Sequence, residues 1–279
     1  MTTYKRIRVK TALTRSGLYD LDYALNPYAG CAHGCLYCYA KYYTRYPEVS
    51  QNWGRLVYVK ENLLEALKRD LARLKLGVVG VSTITDPYQP IEREEVLTRR
   101  AIELLLAAGF EVSVQTKSDL VVRDLDVFSR YKERVDVGFT ITSLNVEVAS
   151  LLEPGAPPPE RRIQALKAVS AEGVETWVFL GPIIPGYNDD VETIKEVVKV
   201  AAETGSTLLY DYLRLKPGII EMISRSIPSL APLLGRVRSR KWRLDVSRRV
   251  ERICEELEVK FSPAFPWKER KDREISEYF

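Results

Sequence analysis

Apolar and polar residues follow each other along the chain in blocks that predict strands and helices in turn. Six segments are rich in β-branched or apolar residues and are bounded by turn residues, as strands are. They cover residues 22–28, 78–86, 111–117, 135–143, 174–184 and 206–216. Between them, apolar residues recur at helical spacing in residues 61–75, 94–109, 124–133, 157–173 and 190–205. The pattern therefore predicts six β/α units.

The alternation also indicates the architecture. Strands separated by helices of this length favour a parallel sheet with right-handed crossovers, and near-continuous apolar strands are typical of a sheet covered on both faces. Six units favour an α/β fold of the partial (β/α)6 TIM-type barrel class over an open doubly wound sheet. We expect a single domain over residues 1–279. It would comprise an N-terminal arm at 1–20, the (β/α)6 core of parallel strands at 21–216 and a helical, basic C-terminal extension at 217–279.

Polar side chains gather where the predicted strands end. The second strand ends in Thr83, Thr85 and Asp86, and the third ends in Lys117. The C-terminal ends of parallel strands form the ligand-binding edge of barrels and of open α/β sheets. Each residue alone is also explained by the scaffold, because threonine favours strands and aspartate caps helices. Together, the strand ends predict a binding site at one edge of the sheet.

Composition and charge narrow the class of protein. The chain has 46% hydrophobic and 29% charged residues, and no apolar run approaches the roughly 18 residues of a membrane span. Four cysteines in 279 residues and the lack of an apolar signal segment predict a soluble cytoplasmic protein without a disulfide framework.

Residues 217–279 carry 14 Lys/Arg against 10 Asp/Glu and account for the net charge of +4. The basic run at 236–252 is consistent with a solvated helix face or with a nucleic-acid surface.

Three of the four cysteines lie within eight residues, in the stretch NPYAGCAHGCLYCYA. Cys31, Cys35 and Cys38 have the spacing C-x3-C-x2-C. Four explanations are open: a zinc site completed by His33, a redox-active C-x2-C pair, a buried group of small apolar residues, or an iron–sulfur cluster. The zinc site would be cramped, the pair leaves Cys31 unused, and the loop lacks the periodicity of a core element. A [4Fe-4S] cluster with three protein ligands would leave one iron open for another ligand.

The cysteine spacing after the first strand of a β/α repeat, with Tyr37 before the third cysteine, resembles the radical S-adenosylmethionine superfamily. The segments TDPYQPIEREEVLTR, TKSDLVVRDLDVF, EPGAPPPERRIQAL and GPIIPGYND resemble its branch related to spore photoproduct lyase. The resemblance implies an enzyme that reductively cleaves S-adenosylmethionine at the cluster. The resulting 5′-deoxyadenosyl radical would abstract hydrogen from a substrate. A one-electron reductant, ferredoxin- or flavodoxin-like, is implied as a partner.

The resemblance also assigns roles by position. Cys31, Cys35 and Cys38 would ligate the cluster. The residues that would contact S-adenosylmethionine are Tyr37, Thr85, Asp86, Lys117, Ser143, Arg162, Ile183 and Ile184. Lys117 would face the carboxylate, because a charge-assisted bond in a dry site is of the stronger kind. For Arg162, a structural ion pair with Glu153 is the alternative.

Thr83 departs from the lyase branch. The resemblance places there a cysteine that returns a hydrogen atom to the product radical, and a threonine O–H bond is too strong for that role. Thymine-dimer repair by that route is therefore not expected, and Tyr88 and Tyr212 are the remaining candidates for a radical relay.

The substrate could be a nucleic acid or nucleotide, recognised with the basic C-terminal extension. The alternatives are a small molecule or peptide side chain, or a non-enzymatic protein stabilised by a Cys3His zinc site.

Overall fold

The structure is a computed structural model that describes residues 1–265. Its strands are β1 (Thr3–Ile7), β2 (Leu13–Arg15), β3 (Tyr23–Leu25), β4 (Tyr28–Ala29), β5 (Leu56–Lys60), β6 (Val78–Val81), β7 (Glu111–Thr116), β8 (Val135–Thr140), β9 (Glu175–Ile183), β10 (Thr207–Tyr212) and β11 (Phe261–Pro263). Its α-helices are α1 (Pro47–Gln51), α2 (Leu63–Leu71), α3 (Glu92–Glu95), α4 (Leu97–Ala107), α5 (Leu125–Arg130), α6 (Val146–Leu152), α7 (Pro159–Ala171), α8 (Val191–Thr204), α9 (Pro217–Ser226) and α10 (Arg240–Glu256).

Eight strands form the main sheet, in the order β11-β10-β9-β8-β7-β6-β3-β2. The six predicted strands correspond to β3 and β6–β10, and neighbouring members of this set all pair in parallel. Strand β2 is antiparallel to β3 at one edge, whereas β11 is parallel to β10 at the other. Within residues 1–265 the two edges do not pair, so the sheet is a partial barrel, as the strand–helix alternation predicted.

A second, three-stranded sheet of order β1-β5-β4 was not predicted. Strand β1, in the predicted N-terminal arm, runs parallel to β5, and the two-residue strand β4 pairs antiparallel with it. The arm is therefore partly ordered as strand, because its backbone groups pair with residues 50 or so positions further along the chain. The predicted strand at 22–28 is divided between the two sheets, with β3 in one and β4 in the other.

Alternation along the strands separates the core from the barrel interior. In β7, Val112 and Val114 are buried in the apolar core, whereas Ser113 and Gln115 line an internal cavity. This is the arrangement that period-2 side-chain geometry gives when helices cover the outer face of a barrel. The outer core is apolar, whereas the interior carries polar groups.

Trp177 on β9 fills part of the barrel interior next to Gly138 on β8. A Cβ atom on Gly138 would lie 2.2 Å from the indole, so only glycine leaves room for the ring. The indole N–H donates to Asp136 at 2.6 Å, and Ser113 donates to the same carboxylate at 2.7 Å. Burial raises the pKa of Asp136 to about 6 despite these two hydrogen bonds.

The C-terminal extension contains the helices α9 and α10, and it also contributes the short strand β11 to the main sheet. Residues 261–263 form β11, because Lys260 O and Ala264 N complete backbone hydrogen bonds to Leu208 N and Tyr210 O. Cys254 is fully buried in the apolar core, as expected for a cysteine on the inner face of a helix. The remainder of the predicted extension, residues 266–279, lies outside the described residues.

No helix in the described part of the chain is long and apolar enough to span a bilayer.

Replacement of Leu105 in α4 should destabilise the fold. Leu105 is fully buried against the sheet, so Leu105→Ala would leave a cavity and lower the free energy of unfolding by about 2–5 kcal/mol. Urea titration measures the change. The matched control is Leu244→Ala in α10, where the leucine is 44% exposed and the expected change is within about 0.5 kcal/mol. Equal effects of the two substitutions would contradict this core assignment.

Candidate active site

The cysteine loop begins at Gly30, directly after β4, and lies at the edge where the parallel strands end. Gly30 has φ +89°, and a Cβ atom there would lie 2.6 Å from Leu56 O, so glycine alone fits this turn. Cys31 and Cys35 are buried and Cys38 is partly buried. All three line the same cavity of about 250 Å³ in the barrel interior. The three thiols are therefore brought together at the mouth of the barrel.

Gln89 ties the cysteine loop to the end of β6. Its side chain is fully buried, accepts a hydrogen bond from Ala32 N at 2.9 Å and donates to Gly30 O at 3.2 Å. It also donates to the Thr85 hydroxyl at 2.9 Å, and that hydroxyl donates to Gly30 O at 2.5 Å. Thr85, predicted as a cofactor contact, thus also supports the backbone of the loop. Gln89 was not singled out in the sequence, since a glutamine in a turn carries no pattern of its own.

His33 lies between the cysteine loop and the end of β7. Its Nδ1 atom is 3.3 Å from Asp86 Oδ2. Burial opposes protonation of the imidazole, but the neighbouring Asp86 and Cys31 raise the pKa of His33 to about 10. Asp86 also accepts hydrogen bonds from the Thr116 hydroxyl at 2.7 Å and from Lys117 N at 2.9 Å. Burial opposes ionisation of Asp86, but these partners lower its pKa to about 2. Asp86, predicted as a cofactor contact, therefore already anchors His33 to β7.

The protonation equilibria of the three cysteine thiols suit them to bind a cationic metal centre. Burial raises the pKa of Cys35 to about 11 and that of Cys38 to about 12, and it also raises the pKa of Cys31. Adjacent buried thiols become thiolates at neutral pH only when a cation such as a metal centre compensates the charge. Within residues 1–265, no three side chains among His, Cys, Asp and Glu converge on a single ion.

Lys117 follows β7 and lines the cavity beside the cysteines. Its ammonium lies 5.7 Å from the centroid of the Tyr37 ring and has no salt bridge within residues 1–265. Burial opposes the charge, but the neighbouring Cys35 and Glu153 raise the pKa of Lys117, so the side chain is a cation. Tyr37 also lines the cavity and donates its hydroxyl to Glu153. The two residues are placed where a ligand beside the cysteines would meet them.

Arg162 and Glu153 form an ion pair at 2.6 Å in which both side chains are almost fully buried. The guanidinium also donates to Pro157 O and Thr140 O, and Glu153 accepts from the Thr142 hydroxyl. Arg162 does not line the cavity. The structural ion pair considered for Arg162 is thus present, and the pair positions Tyr37 through its hydroxyl.

The other predicted residues lie in different surroundings. Ser143 is buried and accepts from Asn145 N, Ile183 belongs to the main core, and Ile184 packs in an apolar cluster with Tyr37 and Cys35. The Tyr88 hydroxyl donates to Asp124 at 2.9 Å, outside the cavity, so the structure does not bring this candidate to the site. The Tyr212 ring lines the cavity, and its hydroxyl donates to Arg243 O in α10. Thr83 lines the cavity as well.

The rest of the cavity wall comes from the interior faces of the strands. Residues that the sequence did not single out as site residues are Trp53, Tyr39, Trp177, Phe179, Leu209 and Phe265. Strand alternation could have indicated Trp177 and Phe179, which share one face of β9. Nothing local in the sequence indicates Trp53, which lies in the long connection between the first predicted strand and its helix.

A partial parallel barrel with three cysteines at the C-terminal ends of its strands defines a barrel enzyme whose cofactor binds at that edge. A family comparison matches residues 25–201 to the Radical SAM superfamily. The chain belongs to this superfamily and is a radical SAM enzyme. Membership implies S-adenosylmethionine and an iron–sulfur cluster as cofactors, and an external reductant.

Comparisons with individual proteins are consistent with this family assignment. An uncharacterized protein of Methanocaldococcus jannaschii is 31% identical over 211 residues, which cover 76% of this chain and 78% of the relative. An uncharacterized protein of Acidianus two-tailed virus is 35% identical over 194 residues, covering 66% and 64% respectively. Among solved structures, spore photoproduct lyase complexed with a dinucleoside spore photoproduct matches with a TM-score of 0.74 and 16% identity. That match covers 94% of this chain and 82% of the lyase. At 16% identity this match shows a shared fold and nothing further.

Gly155→Ala should disturb the cysteine loop without changing any cysteine. A Cβ atom on Gly155 would lie 2.4 Å from Ala32 O, and the Gly155 N–H donates to His33 O at 2.9 Å. We expect a loss of about 1–3 kcal/mol in stability and less iron bound per chain after anaerobic reconstitution. Gly235→Ala is the control, because no atom lies within 4 Å of its added Cβ. Full iron binding by Gly155→Ala would show that this contact does not position the loop.

Proposed function

We propose that Cys31, Cys35 and Cys38 hold a [4Fe-4S] cluster and that S-adenosylmethionine binds beside it in the barrel cavity. The observation that carries this proposal is the position of the three thiols, which face one cavity at the C-terminal strand edge. When bound, these cofactors supply reductive cleavage of S-adenosylmethionine and a 5′-deoxyadenosyl radical that abstracts hydrogen from the substrate. An electron carrier of the ferredoxin or flavodoxin type would supply the electron, which fits a cytoplasmic enzyme.

The residues of the chain would orient the cofactor and exclude water. Lys117 is an unpaired cation in the cavity wall and is suited to the methionine carboxylate. Tyr37 and Thr85 line the same cavity and are suited to the adenosine and the amino group. The bulk of the remaining wall is aromatic and apolar, which would keep water from a reactive substrate carbon. Arg162, Asp86, Ser143, Ile183 and Ile184 support this wall through their protein contacts.

Each of Cys31→Ala, Cys35→Ala and Cys38→Ala should abolish 5′-deoxyadenosine formation. The reason is that a cluster with two protein ligands is not held in place for S-adenosylmethionine to reach its open iron. The measurement is chromatographic detection of 5′-deoxyadenosine after anaerobic reconstitution and reduction. Cys254→Ala is the matched control and should retain the product, because Cys254 is buried in the helical core. Persistent product in any of the three loop variants would contradict the ligand assignment.

For the substrate we propose a nucleic acid or nucleotide. The solved structure with a TM-score of 0.74 is that of a lyase bound to a dinucleoside, which supports this class. In this chain, Arg236, Arg238 and Arg240 are exposed and form no salt bridge within the described residues. Helix α10, which begins at Arg240, contacts the cavity wall where the Tyr212 hydroxyl donates to Arg243 O at 2.9 Å. The helix that follows the three arginines is thus in contact with Tyr212, a residue of the cavity wall.

The chemistry on that substrate would differ from thiol-dependent repair. Thr83, which occupies the position of the lyase cysteine, lines the cavity and has no thiol to return a hydrogen atom. A peptide side chain or a small molecule is the second candidate class. The aromatic and apolar walls around Phe179 and Leu209 support it, since they would accept such groups as well.

Reversal of charge at Arg236, Arg238 and Arg240 to glutamate should weaken binding of single-stranded DNA or RNA. If each arginine neutralises one phosphate, the slope of log affinity against log salt falls by about 3. Fluorescence anisotropy over a range of salt concentrations measures both quantities. The control is the same reversal at Lys68, Arg73 and Lys75, which are exposed on and after α2 and away from the cavity. Equal losses of affinity in the two triple variants would show that only the net charge matters. That result would contradict a nucleic-acid surface at these three arginines.

A further inference from the structure

Exposed aromatic rings are concentrated at the cavity. Among residues 1–265, five aromatic side chains are exposed: Tyr4, Tyr19, Tyr39, Tyr42 and Phe265. Three of these, Tyr19, Tyr39 and Phe265, line the cavity that contains the cysteines. An exposed ring loses the stabilisation that its burial would give, and clusters of such rings mark binding surfaces. The mouth of this cavity therefore offers flat apolar surface to a ligand.

Phe265 is accompanied by an ordered ion pair. Arg214 donates from Nε to Asp211 Oδ2 at 3.1 Å and from one terminal nitrogen to Asp211 Oδ1 at 3.0 Å. The guanidinium carbon lies 5.3 Å from the centroid of the Phe265 ring, which still remains 39% exposed. The bidentate pair fixes the plane of the guanidinium. Its other terminal nitrogen has no acceptor among the described residues, so one donor is free to meet a ligand.

A free acceptor lies in the same cavity. Gln115 on β7 donates from its amide nitrogen to the Thr140 hydroxyl at 3.2 Å. The amide oxygen has no donor within residues 1–265 and belongs to a side chain that lines the cavity. An amide oxygen accepts up to two hydrogen bonds. The cavity thus combines aromatic rings with one unpaired donor and one unpaired acceptor.

The position of Phe265 depends on β11. This strand adds to the edge of the main sheet in parallel with β10, and Ala264 N donates to Tyr210 O at 2.9 Å. The backbone is therefore fixed up to the residue before Phe265. Tyr39 follows Cys38 directly and donates its hydroxyl to Thr83 O at 2.8 Å. One ring is tied to the sheet edge and the other to the cysteine loop.

We propose that Tyr39, Phe265, Arg214 and Gln115 form a subsite for a nucleobase, in which the rings stack on the base and the two polar groups read its edge. The inference rests on the proposed function, because it names the part of the substrate that enters the cavity. Stacking on aromatic side chains suits every base, whereas hydrogen bonds to an edge select among bases. The Asp211–Arg214 pair is internally neutralised, so the subsite suits an uncharged ring and leaves the phosphates to other cations.

Equilibrium dialysis of labelled thymidine, deoxycytidine and deoxyguanosine tests the subsite. The protein is full-length, reconstituted anaerobically, kept oxidised and saturated with S-adenosylmethionine, so that neither turnover nor the cofactor pocket contributes. We expect at least one nucleoside to bind, and Phe265→Leu to weaken its binding by about 5- to 100-fold, as loss of one base–aromatic stack does. Phe265→Trp should restore binding. Gln115→Leu should reduce the preference among the three nucleosides.

The control variant is Tyr42→Leu, which removes an exposed aromatic ring outside the cavity and should bind nucleosides as the wild-type protein does. Three results would overturn the subsite: no nucleoside bound, equal losses in Phe265→Leu and Tyr42→Leu, or tighter binding of N-acetyltryptophanamide, which would indicate a peptide. Formation of 5′-deoxyadenosine by the reduced wild-type protein reports separately on the proposed function. Product without nucleoside binding would reject the subsite alone.

Discussion

The attachment of the cysteine loop to the ends of β6 and β7 is the constraint on which the site depends. Buried hydrogen bonds of Gln89 hold the loop backbone, and the His33–Asp86 contact joins it to Lys117 N at the end of β7. Buried polar groups are costly unless they are paired, so the hydrogen bonds of the buried Gln89 side chain admit few other arrangements of the loop. These contacts fix the backbone that carries the thiols relative to the sheet.

A second buried network sets the electrostatics on the opposite side of the loop. Glu153 is shared by Arg162, the Tyr37 hydroxyl and the Thr142 hydroxyl. Because Arg162 neutralises this carboxylate, the charge of Lys117 is left for a ligand. Breaking such a buried pair leaves an uncompensated charge, which costs more than the pair contributes. The arginine considered as a cofactor contact in the sequence thus has a structural partner in Glu153, whereas Lys117 forms no salt bridge within residues 1–265.

The periodicity of the sequence predicted the six parallel strands, their intervening helices and the edge at which the cysteines lie. Those features are local or repeat along the chain, so they produce a recognisable pattern of apolar and polar residues in the sequence. The small sheet of β1, β5 and β4, the strand β11 and the roles of Gln89 and Phe265 depend on pairings between distant segments, which leave none. Tyr88 is a different case: the sequence predicted it just past the second strand, but β6 ends earlier, at Val81, and the Tyr88 hydroxyl donates to Asp124 outside the cavity.

The place of Trp177 over Gly138 has a practical consequence. Its indole lines the cavity, and Trp53, another of the four tryptophans, lines it as well. The intrinsic fluorescence of the protein therefore originates partly inside the barrel. A chromophore with visible absorption that entered this space would quench that emission by energy transfer, which gives an optical signal for occupancy without a label.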